Sequence, residues 1–367
     1  MKLKKKIIFD VLIMLTLGAL SSLSLPPINF FLINFFTFSI FFIFLFKKLD
    51  FQKNKKTFFL YGWLFGFGYF LTNTYWITIS LSFDQNLYFL IPVALIVIPA
   101  FLAVFYGIAT LVFYVFNFRD VTSSFLLFSL LFGLTEYIRG NVLTGFPWNL
   151  IIYSFSENLE FISFLSIIGT YSFNLLLISF FTVPAIYILR KSKKEIFVFI
   201  LILLFPILLF SYSNFYKKIF LAKELIENPY TVRVISSNIS LDRFYENIDT
   251  EDVINELISL SFPNSEKKIF FLWPEGIIPD TYQDQIILYK HLFKDNFDKN
   301  HLIGLGITSR LMSDDQYKYY NSFSVFDSNL NLVDYYKKIN LVPFGEFLPL
   351  ENLLNKLGFK TITNNFG

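Results

Sequence analysis

Three short segments in the second half of the chain carry ionisable groups where chemistry could rest on them. Trp273-Pro274-Glu275 closes an apolar stretch with a carboxylate, and Tyr335-Tyr336-Lys337-Lys338 closes another with two ammonium groups. Leu341-Val342-Pro343-Phe344-Gly345-Glu346-Phe347-Leu348-Pro349 is an apolar turn, punctuated by Pro and Gly, that carries one more carboxylate. A carboxylate and an ammonium held in one apolar pocket can share the work of acyl transfer. The carboxylate takes the nucleophile's proton, and the ammonium stabilises the oxyanion of the tetrahedral intermediate. Singly, each has a plainer use: Glu275 as a loop charge, Lys337 and Lys338 as a solvated strand end, Glu346 as a turn cap. The case rests on their being brought together.

The elements that would gather them begin near residue 228. Val232–Ile239 is rich in β-branched residues and reads as a strand. Thr250 can cap a helix whose face is Val253, Ile254, Leu257 and Ile258. Lys268–Trp273 reads as a buried strand, Gln283–Lys294 as an amphipathic helix and His301–Thr308 as a strand. Tyr319–Phe326 and Leu332–Tyr336 form a further pair joined through Asp327–Asn331. This order predicts a layered α/β domain with a mixed sheet over 228–367, entered through a linker at 217–227.

Ahead of it lies a different solvent. Residues 1–216 carry 15 basic and 8 acidic side chains, and residues 217–367 carry 16 and 20. Charge-poor runs predict seven membrane spans at about 11–25, 28–46, 57–83, 88–117, 121–138, 161–189 and 196–216. The first two form a hairpin broken at Pro26-Pro27. All basic residues of this part except Arg139 fall on one side of that arrangement, which places the N-terminus in the cytoplasm and the α/β domain outside it. The basic excess is therefore a topology signal, and no nucleic-acid partner is expected. Two His and no Cys argue against a zinc site and exclude a cysteine nucleophile within these residues. Gly304-Leu305-Gly306 reads as close backbone packing, not a phosphate loop, and Glu136 with Arg139 as a structural pair on one helix face or as snorkelling ends.

Taken together and in order, these pieces resemble the nitrilase (carbon–nitrogen hydrolase) superfamily and, within it, the membrane-anchored apolipoprotein N-acyltransferase family. The matching residues are Gly145-Phe146-Pro147-Trp148, Trp273-Pro274-Glu275, Asn321-Ser322, and Lys338 followed by Leu341-Val342-Pro343-Phe344-Gly345-Glu346. The resemblance covers essentially the whole chain. It implies a polytopic helical bundle followed by an extracytoplasmic nitrilase-like (αββα sandwich) domain in the bacterial inner membrane. It also implies Glu275 as general base, Lys338 as oxyanion stabiliser, with Lys337 as its rival, and Glu346 as a second, orienting carboxylate. Trp148 and Asn238 are the implied substrate contacts, an interfacial anchor being the other reading of Trp148. The implied partners are a phospholipid acyl donor and the diacylglyceryl cysteine of an apolipoprotein; no metal or soluble cofactor is called for.

Two departures are mild: Ser236-Ser237-Asn238 stands where the family carries Gln-Gly-Asn, and Asn340 where it carries His. A larger one is that the family's nucleophilic cysteine, several dozen residues after the lysine, is missing, as is its last span. The expectation is a chain truncated before its nucleophile. The rival expectations are a catalytically dead lipid- or lipoprotein-binding scaffold, a related amidase, and a transporter with an extracytoplasmic domain.

Overall fold

The computed structural model describes residues 2–51, 54–83, 85–142, 145–224, 228–238, 249–278, 280–313, 316–343 and 346–347. The chain divides into two compact units, Met1–Lys223 and Glu224–Gly367.

The first unit is helical: α1 (Lys2–Ser21), α2 (Ile33–Lys48), α3 (Lys55–Thr74), α4 (Ile91–Phe116), α5 (Val121–Asn141), the short α6 (Leu159–Ile162) and α7 (Leu165–Ile168), then α8 (Thr170–Leu189), α9 (Lys193–Leu203) and α10 (Phe205–Ala222). Among the described residues, five stretches are long and apolar enough to cross a membrane: Ile7–Ser24, Leu87–Phe116, Val121–Asn141, Thr170–Leu189 and Lys193–Ala222. Three of the expected spans take other shapes. Residues 28–46 are α-helical only from Ile33, where the 16-residue α2 begins, and residues 57–83 change after Thr74 into a 3-10 helix, Tyr75–Phe83. Residues 161–189 are broken at Gly169, whose φ of +76° ends α7 and starts α8.

Phenylalanine fills the interior. Phe41 stacks on Phe65 at 4.1 Å, and Phe128 and Phe132 meet Phe41 edge-on. Helices α1 and α3 approach so closely that a Cβ at Gly68 would lie 2.2 Å from the Leu15 carbonyl oxygen, which is the use small residues have between apolar helices. Ile96, Val97 and Phe101 of α4 point outward, as suits a helix solvated by lipid.

The second unit is built on one five-stranded sheet of order β1-β2-β3-β4-β5: β1 (Thr231–Val234), β2 (Ile269–Glu275), β3 (His301–Ser313), β4 (Gln316–Asp327) and β5 (Leu332–Lys337). The first three strands run parallel and the last two antiparallel to their neighbours, so the sheet is mixed. Helix α11 (Thr250–Ser261) lays Val253, Ile254, Leu257 and Ile258 against Phe271, Trp273, Ile303 and Leu305. Its N-cap is Asp249, one residue before the expected Thr250, with the carboxylate accepting from the Glu251 amide at 3.0 Å. On the opposite face, Val232, Val234, Phe323 and Tyr336 are exposed.

Residues 283–294 do not form the expected helix. A 3-10 turn, Ile286–Tyr289, and the short α12 (Lys290–Lys294) stand there instead. The Gln283 amide donates to the Thr308 carbonyl of β3 at 2.8 Å, and the Gln285 amide closes a turn on the Tyr282 carbonyl at 2.8 Å, so the segment opens as a turn docked on the sheet. Ile239 of the expected first strand lies outside the described residues. His301 is a satisfied core histidine, with Nδ1 accepting from the Asp298 amide at 3.1 Å and Nε2 donating to the Asn264 carbonyl at 3.0 Å.

Candidate active site

Strand β2 ends by delivering Glu275 opposite Gly306 of β3. The approach is close: a Cβ on Gly306 would fall 2.6 Å from the Glu275 Cα, so the residue at 306 has to be glycine for the two backbones to meet. The Gly304-Leu305-Gly306 run is thus close backbone packing, as its position within a strand suggested. On β4, Ser322 and Ser324 are buried, Ser322 sharing a 2.7 Å hydroxyl contact with Ser309. Strand alternation then turns Asn321 to the other face, the side on which Glu275 lies. Strand β5 ends at Lys337, and the backbone amide of Lys338 continues the ladder by donating to the Asn321 carbonyl at 2.8 Å.

Four side chains converge there. The Lys338 ammonium donates to Glu346 Oε1 at 2.8 Å and lies 3.4 Å from Glu275 Oε1. The Asn321 amide nitrogen donates to the same two oxygens, at 2.6 Å to Glu275 and 2.5 Å to Glu346. Each nitrogen therefore sits between the two carboxylates, and each carboxylate oxygen between the two nitrogens. Glu346 is held further by its own turn: Oε2 accepts from the Val342 amide at 2.7 Å, and its amide donates back to the Val342 carbonyl at 2.9 Å. Phe344, Gly345, Leu348 and Pro349 of this turn lie outside the described residues.

The two carboxylates differ in setting. The Glu346 side chain is 13% exposed and that of Glu275 is 62% exposed. Burial alone would push the Glu346 carboxyl up, but hydrogen bonds from Lys338, the Val342 amide and Asn321 outweigh it and hold it below the usual carboxylate range. For Lys338, burial works to depress the ammonium, and the bonds and charges of Glu346 and Glu275 reverse this and raise it above the ordinary lysine value. Two carboxylates against one ammonium leave the cluster with one uncompensated negative charge.

The two neighbouring lysines lie in different settings. Lys338 reaches the carboxylates, whereas the Lys337 ammonium lies over the Tyr320 ring, 3.8 Å from its centroid. Adjacent residues at a strand end point to opposite faces, so only one could join the cluster. Asn238 is exposed in the segment after β1 and makes no bond to this cluster among the described residues. Trp148 belongs to the helical unit, where it is 55% exposed and packs on Trp76 with ring centroids 5.1 Å apart. Asn321 is the residue that sequence reasoning left without a role. It was visible only as half of an Asn-Ser pair in an otherwise ordinary strand.

A family model described as the apolipoprotein N-acyltransferase N-terminal domain matches residues 17–183. An apolipoprotein N-acyltransferase of Rickettsia prowazekii is 33% identical over 365 residues, covering 96% of this chain and 68% of that protein. Proteins of the same name from Rhizobium etli and Allorhizobium ampelinum are 29% and 27% identical, each over 94% of this chain and over 67% and 66% of their own lengths. The chain thus spans about two thirds of the length of these curated relatives.

Proposed function

The chain belongs to the apolipoprotein N-acyltransferase family, and on that premise we propose that its sheet unit supplies the acid–base and oxyanion machinery of an acyl transfer between membrane-held substrates. An acyl chain leaves a phospholipid for a cysteine thiolate, forming a thioester, and then passes to the α-amine of the diacylglyceryl cysteine that begins an apolipoprotein. Splitting one hard amide formation into two acyl transfers lowers each barrier. No residue among the 367 is a cysteine, so none of them forms the thioester of this scheme.

The observation that carries the reading is the division between the two carboxylates. Glu346, gripped by three donors and kept ionised, is the fixed anion that orients Lys338. Glu275 is exposed, and its Oε2 takes no bond from a described residue, so it is the carboxylate free to accept a proton from a thiol and later from an ammonium. Lys338, held charged, is the donor aimed at a developing oxyanion. Trp148 and Asn238 are substrate contacts in this reading. The sheet unit lies on the periplasmic side of the inner membrane, with the N-terminus of the whole chain in the cytoplasm, and takes the αββα form in which a second layer covers the exposed face carrying Val232, Val234, Phe323 and Tyr336.

The test is transfer of a labelled acyl chain from phospholipid to a diacylglyceryl lipopeptide in proteoliposomes, with this chain joined to the cysteine-bearing remainder of a relative. Glu275→Gln, Lys338→Ala and Glu346→Ala are each expected to lower transfer by at least about 100-fold while leaving insertion intact. Near-normal transfer in any of them removes that residue from the mechanism.

A further inference from the structure

The buried pair in the helical unit has no part in that scheme, yet it is tied to the one loop of the unit that the scheme uses. Arg139 and Glu136 sit one turn apart on α5, each about 1% exposed, and their side chains are ion-paired. The rest of the guanidinium does not face a second acid. One terminal nitrogen donates to two backbone carbonyls of the following loop, Phe146 at 2.5 Å and Trp148 at 2.9 Å. The rings of Phe70 and Phe146 flank the group, 5.1 and 5.9 Å from its central carbon.

The loop is tied back at further points among its described residues. The Phe146 amide donates to the Arg139 carbonyl at 2.8 Å, and Tyr69 donates its hydroxyl to the Asn149 carbonyl at 2.7 Å. Gly145 turns the chain at φ +79°, where a Cβ would lie 2.2 Å from the Gly140 carbonyl oxygen. What these bonds leave outside is the Trp148 indole, packed at a tilt of 34° against Trp76, whose own Nε1 donates to the Asn73 carbonyl at 2.8 Å. Trp148 also walls a shallow apolar groove with Leu25, Pro26, Pro147 and Tyr153.

We propose that Arg139 is a positioning residue: its guanidinium fork, neutralised by Glu136, fixes the carbonyls of Phe146 and Trp148 and so sets the Trp148 ring against Trp76 as a two-indole platform for an acyl chain. The fork is the necessary feature. A guanidinium can meet a carboxylate and two carbonyls at once in fixed directions, whereas an ammonium in the same place keeps the charge and loses the geometry. The acyl-chain role rests on the reading of Trp148 as a substrate contact; the placement of its ring does not.

The experiment labels the full chain with 5-fluorotryptophan and follows its four indoles by fluorine NMR in lipid nanodiscs, each resonance assigned by a Trp→Phe variant. Arg139→Lys is expected to shift the Trp148 and Trp76 resonances and leave those of Trp63 and Trp273 in place. An unmoved Trp148 resonance overturns the proposal. So does a change spread over all four, which would make Arg139 a support of the bundle at large.

Should the lysine variant fail to insert, Gly145→Ala reaches the same loop with Arg139 untouched. It must reproduce the selective Trp148 shift for the proposal to stand. Titration with a brominated-chain phospholipid tests the platform itself. Quenching of Trp148 fluorescence at lower lipid than Trp63 is expected, and the order should be lost in Arg139→Lys. A ring that moves in Arg139→Lys without any loss of acyl transfer would sink the substrate reading of Trp148 alone. Transfer lost with the ring unmoved would sink the positioning role and leave the active-site reading standing.

Discussion

Glu136 and Arg139 come from neighbouring turns of one helix, balance each other's charge and are both about 1% exposed. Glu275, Lys338 and Glu346 come from the end of one strand, the residue after another and a turn; they carry one more negative charge than positive, and their side chains range from 13% to 62% exposed. Both sets are carboxylates with a cation, yet their settings assign them different work. A buried pair of balanced charge, whose guanidinium also donates to two loop carbonyls, is placed to hold a backbone. A half-exposed set with an extra carboxylate has one position left for a proton. Counting ion pairs would not separate the two; charge balance and burial do.

The contrast can be broken in four further ways. Arg139→Met leaves the Glu136 carboxylate buried without its partner and is expected to destabilise the helical unit by about 3–5 kcal/mol, read by thermal unfolding in detergent. A loss below about 1 kcal/mol, the size of an exposed pair, would erase the distinction between the clusters.

Gly306→Ala forces a methyl group to within 2.6 Å of the Glu275 Cα. An expected cost of about 1–3 kcal/mol to the sheet unit, with transfer reduced by displacement of Glu275, would show that the site depends on backbone contact as well as charge. Unchanged transfer would mean that Glu275 tolerates being moved.

The pH dependence of unfolding of the sheet unit sharpens the same point. Because Glu346 is lowered in the fold, its stabilising contribution is present above the ordinary carboxylate range and is lost as pH falls through its lowered value. Lys338 is raised, so its contribution is present below the ordinary lysine value and is lost as pH climbs through the raised one. These two groups should add no slope between those limits, and Glu346→Gln should flatten the acid limb. An acid limb as steep in that variant as in the parent would place the responsible carboxylate elsewhere.

The smallest effect is the most discriminating. Lys337→Ala removes only a cation lying over Tyr320, an expected loss of about 0.5–1 kcal/mol, and should leave transfer within about two-fold while Lys338→Ala abolishes it. Equal losses in the two variants would return both lysines to contention.

Several parts of this arrangement were legible before any folding. The uneven charge separates a lipid-solvated part from a water-solvated one, and apolar runs ending at Glu275 and near Lys338 mark strands of a mixed sheet. The Glu136–Arg139 spacing marks a pair on one helix face. The helix expected over 283–294 was not realised, because its apolar spacing says nothing about the backbone bond from Gln283 to Thr308 or the turn that opens the segment. Nor do charge-poor runs show that α8 begins only after a left-handed Gly169.

Sequence by itself determined where the strands of the sheet unit fall and which ionisable groups stand at their ends, because hydrophobic period and charge spacing are local properties. Only the tertiary structure decided that Asn321 bridges Glu275 and Glu346, that Lys338 and not Lys337 meets them, and that Arg139 spends its donors on the loop before Trp148. The partners of Glu275 lie 46 and 63 residues away, and a strand shifted by one residue would turn every one of these side chains to the opposite face. Register and closure are set by the packing of all the strands together, so the pairing of these groups is a property of the sheet and not of any segment in it.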